Sequence, residues 1–75
     1  MNAQRKRSLS IAGHRTSISL EEPFWLALRE IAAQSERPLA ALIAEIDLAR
    51  EGVNLSSALR LYVLAHYRQL AQRPA

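Results

Sequence analysis

Between Arg15 and Leu20 polar and apolar residues alternate one for one, with Arg15, Ser17 and Ser19 on one side and Thr16, Ile18 and Leu20 on the other. That period of two predicts a half-buried strand. A second alternation precedes it, Leu9 and Ile11 interleaved with Ser8 and Ser10, and Gly13-His14 lies between the two runs. Glycine at the first central position suits a two-residue type II′ hairpin turn. In that register Ala12 faces Arg15, Ile11 faces Thr16, Ser10 faces Ser17, Leu9 faces Ile18 and Ser8 faces Ser19. The competing arrangement is a loose arm followed by a single strand, which must then find its partner in another chain.

Past Leu20 the apolar spacing changes to that of a helix. A first helix is predicted to start near Pro23, where proline is tolerated and Glu21 and Glu22 complement the positive end of the dipole. Phe24, Leu28, Ile31 and Ala32, with Trp25 beside them, form its apolar face, and it ends near Ser35. Ser35-Glu36-Arg37-Pro38 breaks the chain direction, because the residue before a proline is pushed out of the helical region. Leu39, Leu42, Ile43 and Ile46 mark a second helix that stops at Gly52, just beyond Arg50. A third opens at Asn54 or Ser56, either able to cap, and runs through Leu59, Tyr62, Val63, His66 and Leu70 toward Pro74. Leu55, Leu61, Leu64 and Tyr67 widen its apolar surface beyond one stripe, so it is expected to pack on more than one neighbour.

With 75 residues the chain has room for one domain, and a core of that size rarely supplies more than about 3–5 kcal/mol of net stability. There is no cysteine, which excludes disulfides and thiolate metal sites and fits a reducing cytoplasm. Oligomerisation is the remaining staple. No apolar run approaches the roughly 20 residues of a membrane span, and Arg5-Lys6-Arg7 is followed by Ser-Leu-Ser-Ile-Ala-Gly, unlike a signal peptide. Residues 1–7 read as a flexible basic arm and residues 8–72 as the folded domain. The net charge of +3 hides an asymmetry: residues 1–15 hold Arg5, Lys6, Arg7 and Arg15 with no acid, whereas residues 16–53 hold seven acids against three arginines. Cations beside a strand make a local field attractive to phosphates, or else a solubilising tail.

Catalytic chemistry finds no foothold. No serine lies in a GxSxG elbow, no HExxH spacing occurs, and two histidines without cysteine do not make a metal site. His14 reads as a turn residue, His66 as a packing residue and Trp25 as core. No enzyme activity, cofactor or metal is expected.

The run Lys6-Arg7-Ser8-Leu9-Ser10-Ile11-Ala12-Gly13-His14-Arg15-Thr16-Ser17-Ile18-Ser19-Leu20-Glu21, with Leu42-Ile43-Ala44-Glu45-Ile46-Asp47 and Asn54-Leu55-Ser56-Ser57-Ala58-Leu59-Arg60, resembles the ribbon-helix-helix family of bacterial DNA-binding proteins, the group of the Arc and methionine repressors, in a subgroup with an added C-terminal helix. The resemblance covers residues 6–68. It implies a mainly helical fold with a short N-terminal β element, assembled as an intertwined homodimer around Ile18, Leu20, Trp25, Leu28, Leu42, Ile43, Ile46, Leu59, Tyr62 and Val63. It further implies a cytoplasmic transcription regulator or repressor that lays an intermolecular β-ribbon in the major groove of double-stranded DNA. Arg15, Ser17 and Ser19 would then read bases. Arg5, Lys6, Arg7 and Arg37, with the backbone N–H groups of Leu39 and Ala40, would hold phosphates. If residues 8–12 also pair with residues 15–20, the dimer has a four-stranded sheet, wider than the ribbon the groove admits. The alternatives are a dimeric protein-interaction module of the same fold, with the third helix, Tyr62 and Tyr67 as its contact surface, or an antitoxin.

Overall fold

Strand β1 spans Gln4–Ile11 and β2 spans His14–Glu21 in the computed structural model, which describes residues 4–72. The two pair antiparallel as a hairpin. Its register sets Ile11 against His14, Leu9 against Thr16, Arg7 against Ile18 and Lys6 against Ser19. The turn is therefore Ala12-Gly13, both at positive φ (51° and 84°), as a type I′ turn requires, and not Gly13-His14. A two-residue shift in register leaves every side chain on the face it had, so alternation does not separate the two pairings. Only turn chemistry distinguishes them, and here glycine takes the second central position. The pairing also runs back to Gln4, so residues 4–7 belong to the sheet instead of the expected arm; residues 1–3 lie outside the described residues.

Helix α1 (Glu22–Gln34) begins where Glu21, still extended, acts as N-cap and proline occupies the first turn. It buries Trp25, Leu28, Ile31 and Ala32. Its end is closed by Glu36 at φ 56°, with the Arg37 N–H donating to Ala32 O and the Glu36 N–H to Ala33 O, both at 3.1 Å. That is the left-handed closure usually given to glycine. Helix α2 (Leu39–Ala49) follows, with Pro38 as its N-cap and Leu42, Ile43 and Ile46 buried. After it Glu51 and Gly52 both take positive φ. Helix α3 (Leu55–Ala71) is capped by Asn54, whose side chain accepts from the Ser57 N–H at 2.9 Å.

The three helices pack together, and each also touches the hairpin. Ile11, Ile18 and Leu20 from the sheet meet Trp25, Leu28, Leu42, Ile43 and Leu59 in one core. Leu20, Trp25, Leu28, Leu42, Ile43 and Leu59 are completely buried within this one chain. Of the ten residues expected at a dimer core, all but the half-buried Tyr62 are therefore already covered by the chain itself. The reason lies in the hairpin: β1 and α3 close the faces that a single strand with two helices would leave open.

Candidate nucleic-acid interface

Alternation along β1 and β2 sorts the hairpin into two chemically different faces. Toward the helices point Arg7, Leu9, Ile11, Thr16, Ile18 and Leu20, all buried or half-buried. The opposite face carries Lys6, Ser8, Ser10, Arg15 and Ser17, all exposed, with Ser19 half-buried. Across the strands Ser10 stands opposite Arg15, Ser8 opposite Ser17 and Lys6 opposite Ser19. Four short hydroxyls thus form a low platform with a cation toward each end. The first acid on it is Glu21, and its carboxylate is held by the Arg60 guanidinium of α3 through two bonds of 2.9 and 3.3 Å. The Arg60 bond, ahead of a backbone bond, keeps that carboxyl below the usual range, so it stays ionised and compensated.

Arg15, Ser17 and Ser19, expected to read bases, share this face with Lys6. Arg7 does not. At an odd position of β1 it turns under the sheet, lies 5.2 Å over the Trp25 ring and donates to Glu22 Oε1 at 3.0 Å. Its expected place on a phosphate does not match that geometry, and the parity it shares with Leu9 and Ile11 is the signal that placed it inward. The side chain of Arg5 lies outside the described residues. Arg37 is held by the Glu45 carboxylate, whose hydrogen bond raises the guanidinium pKa further, and its buried Nε has no partner. At the start of α2 the first N–H groups to reach a carbonyl are those of Ala41 and Leu42, both on Pro38 O. The Leu39 and Ala40 N–H groups sit at the open helix end, where such donors are unfilled.

Two contributors were not expected from the sequence. Ser56, in the first turn of α3, donates its hydroxyl to the Ser19 main-chain carbonyl at 2.7 Å. With the Arg60–Glu21 pair it fastens α3 to β2. His14 is exposed beside the turn, whereas His66 is half-buried with its ring edge-on to Tyr67 at 5.0 Å. Among the described residues no group of three or more histidine, aspartate or glutamate side chains is placed to hold a metal ion. No described helix is long and apolar enough to cross a membrane.

The architecture is that of a small β-hairpin and three-helix domain with one basic, hydroxyl-rich sheet face. The family model for the ribbon-helix-helix domain matches residues 4–67, and the chain belongs to that family. Its members are commonly DNA-binding transcription regulators or antitoxins, usually homodimeric and typically without enzyme activity. Neither the comparison with curated proteins nor that with solved structures finds a match.

Proposed function

We propose that this chain is a DNA-binding transcription regulator, a repressor in the cytoplasm, that lays the outer face of its own β1–β2 hairpin in the major groove and acts as a homodimer. The observation that carries this is the segregation of Lys6, Arg15 and the four serines on one sheet face while the apolar residues of both strands occupy the other. The major groove is about 12 Å wide and admits a two-stranded ribbon. In the dimer read from the resemblance that ribbon takes one strand from each protomer; here one chain supplies both.

Arg15 reads a guanine edge with two hydrogen bonds, and Ser17 and Ser19 bond less selectively to bases beside it. Lys6 neutralises a phosphate, and the open N–H groups of Leu39 and Ala40 can receive another. Arg7 and Arg37, engaged by Glu22 and Glu45, supply no free charge to this contact. No metal, cofactor or catalytic group enters the mechanism.

Fluorescence anisotropy against duplex genomic fragments at several salt concentrations tests the proposal, since log K falls with log salt by about 0.9 per phosphate contact. Arg15→Ala should relax discrimination at one base position by roughly 1–3 kcal/mol while leaving affinity for random duplexes largely intact. Absence of binding at low salt would end the proposal.

A further inference from the structure

Polar ties hold the hairpin at its open end, away from the turn. On the β1 side Arg7 lies over Trp25 and donates to Glu22 of α1 at 3.0 Å. On the β2 side the ties run to α3: Ser56 Oγ donates to the Ser19 carbonyl at 2.7 Å, and one helical turn further on Arg60 donates twice to the Glu21 carboxylate, at 2.9 and 3.3 Å. Leu20, between the two strand residues, and Leu59, between the two helix residues, are completely buried in the same core. At the other end Ala12, Gly13, His14 and Arg15 are exposed, and among the described residues no side-chain hydrogen bond joins Arg15 or Ser17 to a helix.

Ser19 belongs to both arrangements. Its side chain lies on the face with Arg15 and Ser17, opposite Lys6, while its carbonyl is held by α3. The donor is itself fixed, because Ser56 sits in a first turn that Asn54 caps by accepting the Ser57 N–H at 2.9 Å and, through its carbonyl, the Ala58 N–H at 2.9 Å. Two-stranded ribbons twist more than wider sheets and are marginal alone, so the attachment to α3 sets the angle at which the open end is presented. Hydrogen bonds to base edges tolerate little error, since a displacement of about 1 Å takes a bond of about 2.9 Å out of range.

We propose that Ser56 and Arg60 are positioning residues for the reading of DNA, acting through Ser19 and Glu21 and not on the duplex. They hold the open end of the ribbon at the pitch that lets Ser19 and Lys6 meet the groove together with Arg15. This rests on the DNA-binding reading above. Arg15 lies four residues from Ser19, about 13 Å along an extended strand. Loosening the clasp should therefore spare the base pair read from the turn end and degrade the one read from the clasped end.

The test starts from the duplex that the wild-type chain selects from a randomised library, with single base-pair substitutions made along it. Arg15→Ala identifies the pair read near the turn and Ser19→Ala the pair read near the clasp. Ser56→Ala with Arg60→Gln should lower discrimination at the second pair by about threefold to tenfold. Discrimination at the first pair, affinity for random duplexes and the salt slope should stay as in wild type, at a temperature where Trp25 fluorescence shows the variant folded. Ser56→Thr, which keeps the hydroxyl, should restore what Ser56→Ala loses. Amide exchange of the free protein gives a readout without DNA: the double variant should exchange faster at Ile18 and Leu20 than wild type, with the Ile11 and Thr16 amides unchanged. Equal discrimination at both pairs in variant and wild type overturns the proposal, and so does a uniform loss at both pairs that follows the thermal midpoint. If the wild-type chain retains no duplex at low salt, the DNA-binding reading fails and the positioning role falls with it, even where the exchange result shows the clasp to be real; if the wild type discriminates and the variant does too, only the positioning role fails.

Discussion

Lys6 and Arg7 are adjacent, carry the same charge and are separated by the sheet. Removing each in turn should therefore give opposite signatures. Arg7→Ala deletes a cation–π contact at 5.2 Å over fully buried Trp25 and an ion pair of 3.0 Å with Glu22, in surroundings about one-third exposed. At partly exposed sites the first contributes about 0.5–1 kcal/mol and the second about 0.2–1 kcal/mol. Together they come to about 1 kcal/mol or slightly more, and in a domain of this size each kcal/mol moves the thermal midpoint by about 4–8 °C. Lys6→Ala removes an exposed side chain with no partner in the chain, so stability should stay within about 0.5 kcal/mol of wild type.

On DNA the order reverses. Lys6→Ala should flatten the plot of log K against log salt by about 0.9 per hairpin engaged, whereas Arg7→Ala should leave the slope alone at temperatures where the variant is folded. Trp25 is the single tryptophan, so its fluorescence reports unfolding directly. Anisotropy titrations between about 50 and 200 mM salt supply the slope. If Arg7→Ala flattens the slope without loss of stability, or Lys6→Ala melts several degrees early, the two faces of the hairpin have been assigned the wrong way round.

Two further outcomes follow from local geometry. Asn54→Ala should cost about 1 kcal/mol in urea unfolding by leaving the Ser57 N–H without its acceptor, and Asn54→Asp should keep most of it; an unchanged midpoint in the alanine variant would remove Asn54 as the start signal of α3. The Glu21 carboxyl is held below its ordinary value by Arg60, so its contribution is complete above the unfolded value of about 4 and is lost as pH falls through the depressed folded value. Acid titration of Glu21→Gln should accordingly show a shallower loss of stability below about pH 4 than wild type, and parallel curves would contradict the pairing.

Much of the fold was legible because periodicity reports which face of an element is apolar. Ile18 and Leu20, Trp25 and Leu28, and Leu42, Ile43 and Ile46 were all placed on buried faces that way, and all are buried. Periodicity does not say whose surface covers such a face. Nine of the ten residues expected in the core of a dimer are already buried within the single chain, and nothing in a spacing of three and four says whether a second chain adds to that core. The hairpin register illustrates a second limit: pairings two residues apart share one inward set, so only the turn decides. Ala12 at φ 51° gives that turn little sequence signal, because alanine is a poor resident of the left-handed region and the glycine stands at the second central position. Glu36 and Glu51 also take the left-handed region, yet the helix ends beside them are legible from Pro38 and Gly52. On the candidate DNA face, Arg15, Ser17 and Ser19 were legible from alternation alone, but the Ser56 and Arg60 contacts to β2 span 37 and 39 residues and leave no local pattern.

An intrachain ribbon also changes what a dimer would do on DNA. When each protomer contributes one strand, two chains make a single ribbon and occupy a single stretch of groove. When each protomer contributes both strands, two chains carry two ribbons, and they can engage one duplex together only if successive turns of the major groove, about 34–36 Å apart, match the spacing of the hairpins. The chain measures 41 × 32 × 24 Å, so two copies in contact hold equivalent points at separations of that order. Antiparallel pairing of the two β2 edges would instead fuse the ribbons into one four-stranded sheet, broader than the two-stranded ribbon the groove admits. The location of the dimer contact and the manner of reading DNA are thus a single geometric question, and the part of the β2 edge that Ser56 and Arg60 leave open is where it is decided.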